Sequence, residues 1–328
     1  MNSKDISDKK LGIVIVTYCS NKWIGACINS ILESDYPIHV IIIIDNASPE
    51  TVELEFLNKN SKIHHIKLSR NIGFGRANNI GIGYCLAKGS EYIALINPDI
   101  KLKSNALAEL AHVLNSNVDL GVVGGLELNY DDDEYNPISK NLCYKAIEIK
   151  DKKSFIYSTF KDGEHLNASL LMLKKGVFLT IGGFDPVFFM YAEDYDILRR
   201  ALRIDIKLAI CNSAQYHHAI SHSYKLENVN SSFTQTKIRH YSRSRLIYAL
   251  ANPYTPFTVN LLRVIFVFLR GLREYISAPR LLRAFLISFF DVPWIKCYAK
   301  WRRDRLKNYQ YYIDAIMVPK DVSLISKC

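Results

Sequence analysis

No two of the seven cysteines form a C-x-x-C pair. They fall at positions 19, 27, 85, 143, 211, 297 and 328, an odd and scattered set. That spacing excludes a zinc knuckle or a thioredoxin-like motif, and it fits a reducing, cytoplasmic setting better than a disulfide framework. Cys19 and Cys27 read as small core residues. No G-x-G-x-x-G follows the first strand-like run, which argues against an ordinary dinucleotide-binding unit. No secretory signal is expected, because Met1 to Lys10 is polar and charged and Leu11 to Val16 is too short for an h-region. Processive polymer synthases carry Q-x-x-R-W, and that pattern is missing too.

Apolar residues make up 49% of the 328, enough for a sizeable core and too many for global disorder. The net charge of +10 is unevenly placed. Residues 235–328 hold 17 Lys/Arg against 5 Asp/Glu, whereas residues 1–234 hold 25 against 27. The basic surface therefore belongs to the C-terminal third.

Leu11 to Thr17 and Val40 to Ile44 are continuous β-branched runs, as expected of strands covered on both faces. His65 to Leu68, Tyr92 to Ile96 and Leu120 to Gly124 continue the series. Helical spacing separates them at Trp23 to Ser34, Thr51 to Asn60, Arg76 to Lys88 and Ser104 to Leu114. Alternating strands and helices predict an α/β fold with a mostly parallel, doubly wound sheet. The acidic run Asp131 to Glu134 reads as an exposed loop. Beyond it, His165 to Leu173 predicts a strand beneath the site, Ile197 to Arg203 a helix and Leu208 to Cys211 a final strand.

The candidate chemistry lies where these runs stop. In open α/β sheets ligands bind outside the carboxyl ends of the strands. Asp45 ends the second strand, and Asn97-Pro98-Asp99 ends a later one. A carboxylate there can accept from a base N–H, or hold Mg²⁺ or Mn²⁺ together with substrate phosphates. Glu193, Asp194 and Asp196 stand at a helix N-terminus, where the terminal N–H groups favour negative charge. Close carboxylates raise one another's pKa, which suits a general base, although capping acids of that helix fit the same spacing. His217 and His218 follow the last strand, either as a metal ligand or as polar loop residues.

Taken together, these residues resemble the inverting family 2 glycosyltransferases, in particular their bacterial rhamnosyltransferase-like branch of surface polysaccharide synthesis. The likeness runs from about Gly12 to Ser223. The opening strand Ile13-Val14-Ile15-Val16-Thr17-Tyr18 is similar to the family's, with Thr17 and Tyr18 lining the nucleotide pocket. Asp45-Asn46-Ala47-Ser48 looks like the nucleoside-binding turn, with Asp45 facing the base. Asn71, Gly73 and Phe74, with Ala77 and Asn78, are close to an N-x-G-F-x-x-x-x-N signature near the donor. Asn97-Pro98-Asp99 stands at the metal motif, so the resemblance gives Asp99 to the cation. Gly182-Gly183-Phe184-Asp185 leads into the acidic segment and implies Asp194 as base, beside Glu193 and Asp196. His218, twenty-four residues on, falls where relatives place a metal-binding His. Asn167-Ala168 stands where many members have Gly-Ala, and Ser221 where many have Gly. Arg76 lies near the donor loop, where a surface role is the simpler expectation.

The resemblance implies a GT-A-like nucleotide-binding fold over residues 1–234, with a donor half at about 11–125 and an acceptor/base half at about 155–223. It implies sugar transfer, with rhamnose from dTDP-rhamnose first and UDP-galactofuranose or another UDP-hexose behind it. The expected cofactor is Mg²⁺ or Mn²⁺. The expected partners are a nucleoside diphosphate sugar and a lipid-linked or oligosaccharide acceptor. Residues 235–328 form a basic amphipathic helical extension. Pro256 to Ala278 carries a broad apolar face interrupted by Arg263, Arg270 and Arg273, which suits an anionic membrane surface better than a bilayer span. Peripheral attachment to the inner face of the cell membrane follows. Packing on the catalytic core, or on a second copy as a homo-oligomer, is the other reading of the same helices. A nucleic-acid partner is not expected, because the basic residues accompany long apolar helices and no reader module. A non-catalytic sugar-binding homologue and a nucleotidyltransferase are the competing classes.

Overall fold

The computed structural model describes residues 9–50, 60–135, 147–148, 154–157, 166, 168–219, 232–270, 279–305, 313 and 316. The helix expected at residues 51–60 lies almost wholly outside them, as do Asn167 and Ser221.

Two long aliphatic runs form one arm of a sheet that holds ten strands among the described residues. β1 (Leu11–Thr17) and β2 (Ile38–Asp45) pair in parallel, with Thr17 opposite Asp45 at their carboxyl ends. β3 (Ile63–Lys67) extends this arm beyond β2, and β4 (Tyr92–Ile96) lies parallel on the other side of β1. Alternate residues of each run feed opposite cores. Ile13, Ile15, Ile41 and Ile43 pack with α1 (Asn21–Leu32) and α3 (Ala106–Ser116), whereas Val14, Val16, Ile42 and Ile44 pack with α2 (Phe74–Ala87). Helices on both faces bury both sets of side chains, which is why the runs need no polar alternation.

The second half of the sheet is mixed. β9 (Leu170–Lys174) runs antiparallel between β4 and β6 (Leu120–Asn129). β10 (Lys207–His218) lies parallel to β6, and its outer neighbours β8 (Ser154–Tyr157) and β7 (Ile147–Glu148) are antiparallel. The short β5 (Ile100–Leu102) pairs with the far end of β10. Two short helices, α4 (Lys175–Ile181) and α5 (Glu193–Leu202), complete this half.

Three expectations shift. The strand predicted from His165 starts at Leu170. α2 begins at Phe74, inside the expected loop. The final strand does not stop at Cys211, and His217 and His218 lie on it, not beyond it. Its pairing with β6 breaks between Cys211 and Gln215 and then resumes, and β5 supplies a second partner from Tyr216 to His218. A bulge of that kind lets a strand continue while re-aiming its side chains.

The C-terminal region is helical: α6 (Ser232–Leu250), α7 (Phe257–Arg270), α8 (Pro279–Ser288), a 3₁₀ turn and α9 (Val292–Arg305). It packs on the α/β body. Leu246, Ile247, Leu250, Val264, Ile295 and Ala299 share a core with Phe188 and Ala192. Among the described residues no helix is long and apolar enough to cross a membrane. Arg302 of α9 faces inward, where it is buried and reaches Asp196 and Asp185, both fully buried.

Arg302→Met would leave those two carboxylates short of a partner. Removing one side of a buried pair costs about 3 kcal/mol or more. Chemical denaturation should show a loss of that size, and a variant as stable as the parent would contradict the assignment.

Candidate active site

The carboxyl ends of β1 and β2 are knitted together by Asn46. Its backbone N–H donates to Thr17 O (2.8 Å), its amide NH₂ to Asn71 Oδ1 (3.0 Å), and its Oδ1 accepts from Ile72 N–H (2.9 Å). Asn71 Oδ1 also accepts from Gly73 N–H at 3.0 Å. One asparagine thus fixes the donor loop to two strand ends. Thr17 and Asp45 are fully buried beside it, and Tyr18 stands half-exposed at the mouth. Ser48 N–H donates to Asp45 Oδ1 (2.8 Å), while Asp45 Oδ2 has no hydrogen-bond partner and stands 3.9 Å from Lys67 Nζ. A buried carboxylate oxygen with spare acceptor capacity suits a ligand N–H.

The donor loop closes directly on the acidic segment. Gly73 has φ 92° and Phe74 N–H donates to Phe189 O at 2.8 Å. A Cβ at Gly73 would meet that oxygen at 2.4 Å, so only glycine serves there. Asn79 makes a second clamp: its NH₂ donates to Phe184 O, and its Oδ1 accepts from Phe184 N–H, both at 2.8 Å. Asn78, the expected donor residue, instead bonds back to Phe74 O within its own helix. The final Asn of the N-x-G-F-x-x-x-x-N signature is in fact Asn79, one position on from the residue expected. Arg76 donates to Pro186 O and ties the same two segments from outside.

Glu193 and Asp194 open α5 after two consecutive left-handed residues, Tyr191 (φ 70°) and Ala192 (φ 64°). Strained backbone of this kind persists only when its surroundings enforce it. Here Ser244 of α6 donates to Met190 O at 2.6 Å, and Phe189 stacks on His240. Burial pushes the Asp194 carboxyl up to about 6. Burial, and then the neighbouring Asp194 charge, push Glu193 up to about 8. Both shifts run in the same direction, so the pair carries one negative charge more readily than two.

Asp196 is placed differently from its two neighbours. Its carboxylate is fully buried among Arg199 (3.0 Å), Arg200 (3.0 Å) and Arg302. Burial alone would raise its pKa, and the three guanidiniums overcome that and hold it well below the usual carboxylate range. It is a structural anion, not a proton acceptor, and in this it departs from the expectation.

Asn97 and Asp99 follow β4. Asn97 N–H donates to Ser169 O at 2.9 Å, and its buried Oδ1 lacks a hydrogen-bond partner. Ala219 N–H donates to Asp99 O (3.0 Å), which brings the end of β10 alongside. His218 Nε2 lies 3.3 Å from Asp99 Oδ1, and Nδ1 lies 3.2 Å from Glu127 Oε2. These are ion-pair contacts, not aligned hydrogen bonds. Burial would lower the His218 pKa, but the two carboxylates outweigh it and hold it at about 9. Glu127 was not foreseen. His217 points elsewhere: Nδ1 is 2.7 Å from Asn129 O and Nε2 3.3 Å from Asp133, in the exposed acidic loop.

Among the described residues no three His, Cys, Asp or Glu side chains are arranged around one metal position. Asp99 and His218 nonetheless fit a divalent cation as a two-ligand site. They offer one hard oxygen and, once the cation displaces the proton on Nε2, one imidazole nitrogen that lacks an aligned partner; Mg²⁺-type sites draw the rest of their shell from water and substrate phosphates.

Residues 12–178, about half of the chain, match the family described as Glycosyl transferase family 2. The chain belongs to that family. α5 and β10 lie past the matched segment. Among curated relatives, the chain is 26% identical over 258 residues to the dTDP-rhamnosyl transferase RfbF of Shigella flexneri, covering 77% of this chain and 84% of that protein. It is 25% identical over 211 residues to the low-salt glycan biosynthesis hexosyltransferase Agl10 of Haloferax volcanii, covering 63% and 66%. Among solved structures, the mannosyltransferase PcManGT from Pyrobaculum calidifontis, in complex with GDP-Man and Mn²⁺, superposes with a TM-score of 0.56 at 14% identity, over 95% of this chain and 87% of that one. S. aureus TarS 1–349 in complex with UDP gives 0.53 at 14%, over 94% and 89%. The fold of this family 2 member is therefore GT-A-like, with a helical C-terminal region.

Proposed function

We propose that this family 2 glycosyltransferase moves a sugar from a nucleoside diphosphate donor to an acceptor hydroxyl with inversion. The observation that carries the reading is the hydrogen bond from Phe74 to Phe189. It holds the nucleotide-side loop against the segment that presents Asp194, so that a donor and a base share one cleft. Asp45 and Thr17 take the nucleoside, with Asn71, Gly73 and Phe74 shaping the donor wall. Asp99 and His218 hold Mg²⁺ or Mn²⁺, which when bound screens the charge that grows on the departing diphosphate. Asp194 accepts the proton of the acceptor hydroxyl as that oxygen bonds to the anomeric carbon and the nucleoside diphosphate leaves. Burial and the neighbouring Asp194 charge push the Glu193 carboxyl beside it toward its neutral form.

RfbF and PcManGT both act on nucleotide sugars by name, and dTDP-rhamnose is the first donor to try. The acceptor is a lipid-linked saccharide, met at the inner face of the cell membrane. In support, Leu262, Phe266 and Leu269 lie on one face of α7 and are 67%, 65% and 60% exposed, and Phe290 is 86% exposed. Arg263 and Arg283 are exposed on the same helices. Apolar side chains flanked by arginines match an anionic lipid boundary.

Nucleoside diphosphate release should be measured with dTDP-rhamnose, UDP-galactofuranose and UDP-hexoses, with detergent-dispersed lipid-linked saccharides and Mn²⁺. Asp194→Asn should lose about 10²- to 10⁴-fold, the usual span for general-base catalysis. Because the base form is needed, the rate should climb as pH rises through about 6 and then level off. Acceptor-dependent release undiminished in Asp194→Asn would sink the base assignment.

Cosedimentation with anionic and with zwitterionic vesicles tests the membrane reading. The wild type should pellet with anionic vesicles only, and Phe266→Glu combined with Phe290→Glu should abolish it. A dimer that those substitutions break, with no vesicle binding, would make the face a self-interface instead.

A further inference from the structure

Glu127 is a buried acid on β6 that the reaction outlined above leaves without a task. It is only 4% exposed, and in the β6–β10 ladder it stands opposite Tyr216. The Tyr216 hydroxyl donates to Glu127 Oε2 at 3.4 Å, and His218 Nδ1 approaches the same oxygen at 3.2 Å. Asp99 occupies the other side of the ring, 3.3 Å from Nε2. A carboxylate taken this far out of water is costly unless charged or donor groups face it, and two of the groups that face Glu127 come from β10.

The arrangement is asymmetric in a useful way. A neutral imidazole offers one lone pair to a cation and must keep its proton on the opposite nitrogen, where an acceptor fixes the tautomer. Glu127 lies on the nitrogen remote from Asp99. It therefore cannot share a cation with Asp99 through that contact, but it can hold the proton that leaves Nε2 free.

We infer that Glu127 is a positioning residue for the cation site, acting through His218. Its carboxylate accepts from Nδ1–H, sets the tautomer and aims Nε2 at the space beside Asp99, while Tyr216 holds the carboxylate in place. The inference rests on the reading of Asp99 and His218 as the cation's ligands. It also explains why β10 must run on to His218: only the continued strand places Tyr216 and His218 next to Glu127.

The test is Mn²⁺ affinity, read from the free-ion EPR signal, in wild type, Glu127→Leu, Glu127→Gln, His218→Ala and Asp99→Ala, with thermal unfolding as a control for folding. Outer-shell partners of metal-bound histidines usually change affinity by about 10- to 100-fold. Glu127→Leu should weaken Mn²⁺ by that factor, and Glu127→Gln, whose amide oxygen still accepts, by less. ¹⁵N NMR of the Mg²⁺-loaded wild type should find the His218 proton on Nδ1. Mn²⁺ affinity within twofold of wild type in a folded Glu127→Leu, while His218→Ala weakens it, would overturn the positioning role alone. If neither His218→Ala nor Asp99→Ala weakens Mn²⁺, the metal site fails and the role of Glu127 goes with it. If Glu127→Leu does not fold, the tautomer decides, and a proton on Nε2 refutes the proposal.

Discussion

One buried carboxylate fastens the C-terminal helices to the α/β body. Asp196 receives Arg199 and Arg200 from its own helix and Arg302 from a helix more than one hundred residues later. Arg200 passes the constraint on, donating to Ile181 O and Gly183 O at 2.5 Å each. Arg302 extends it to Asp185, whose Oδ2 also accepts from the Tyr298 hydroxyl. The loop of residues 181–185, α5 and α9 are thereby fastened at one point. Desolvating so many charges is tolerable only because each is paired, and the arrangement specifies one geometry more than it adds stability.

That fastening has consequences for the cleft. With α5 fixed, Glu193 and Asp194 sit at its first turn in a left-handed approach that the chain would not adopt unaided. The donor loop then meets the same segment through Phe74 and Asn79. The C-terminal helices are thus part of the catalytic architecture and not a detachable tail. Their inner face supports α5, while apolar side chains such as Leu262, Phe266 and Leu269 stay exposed on the outer face.

The central strands were legible because unbroken Ile/Val runs have few other uses, and the acids at their ends were legible because the runs stop so abruptly. The Glu193–Asp194 pair was visible for the same reason, at a helix start. What could not be read are partnerships across the sheet and between domains. Asn79 rather than Asn78 makes the clamp, and its partner Phe184 is 105 residues away. Glu127 matters only through strand register with Tyr216, which no local periodicity encodes. Asp196 looked like a third candidate base, since its two local arginines also fit a solvated face. The distant Arg302 is what shows it to be structural. The two histidines are told apart by the alternation of a strand that composition alone ended too early.

The account makes one claim above the others: nucleotide, cation and base meet in the cleft between the two halves. A crystal structure with dTDP or UDP and Mn²⁺ tests it most directly. The account predicts the base ring at Asp45, the diphosphate and Mn²⁺ at Asp99 and His218, and open space between them and Asp194 for a sugar. A nucleotide bound elsewhere, or Mn²⁺ held away from Asp99, would contradict it.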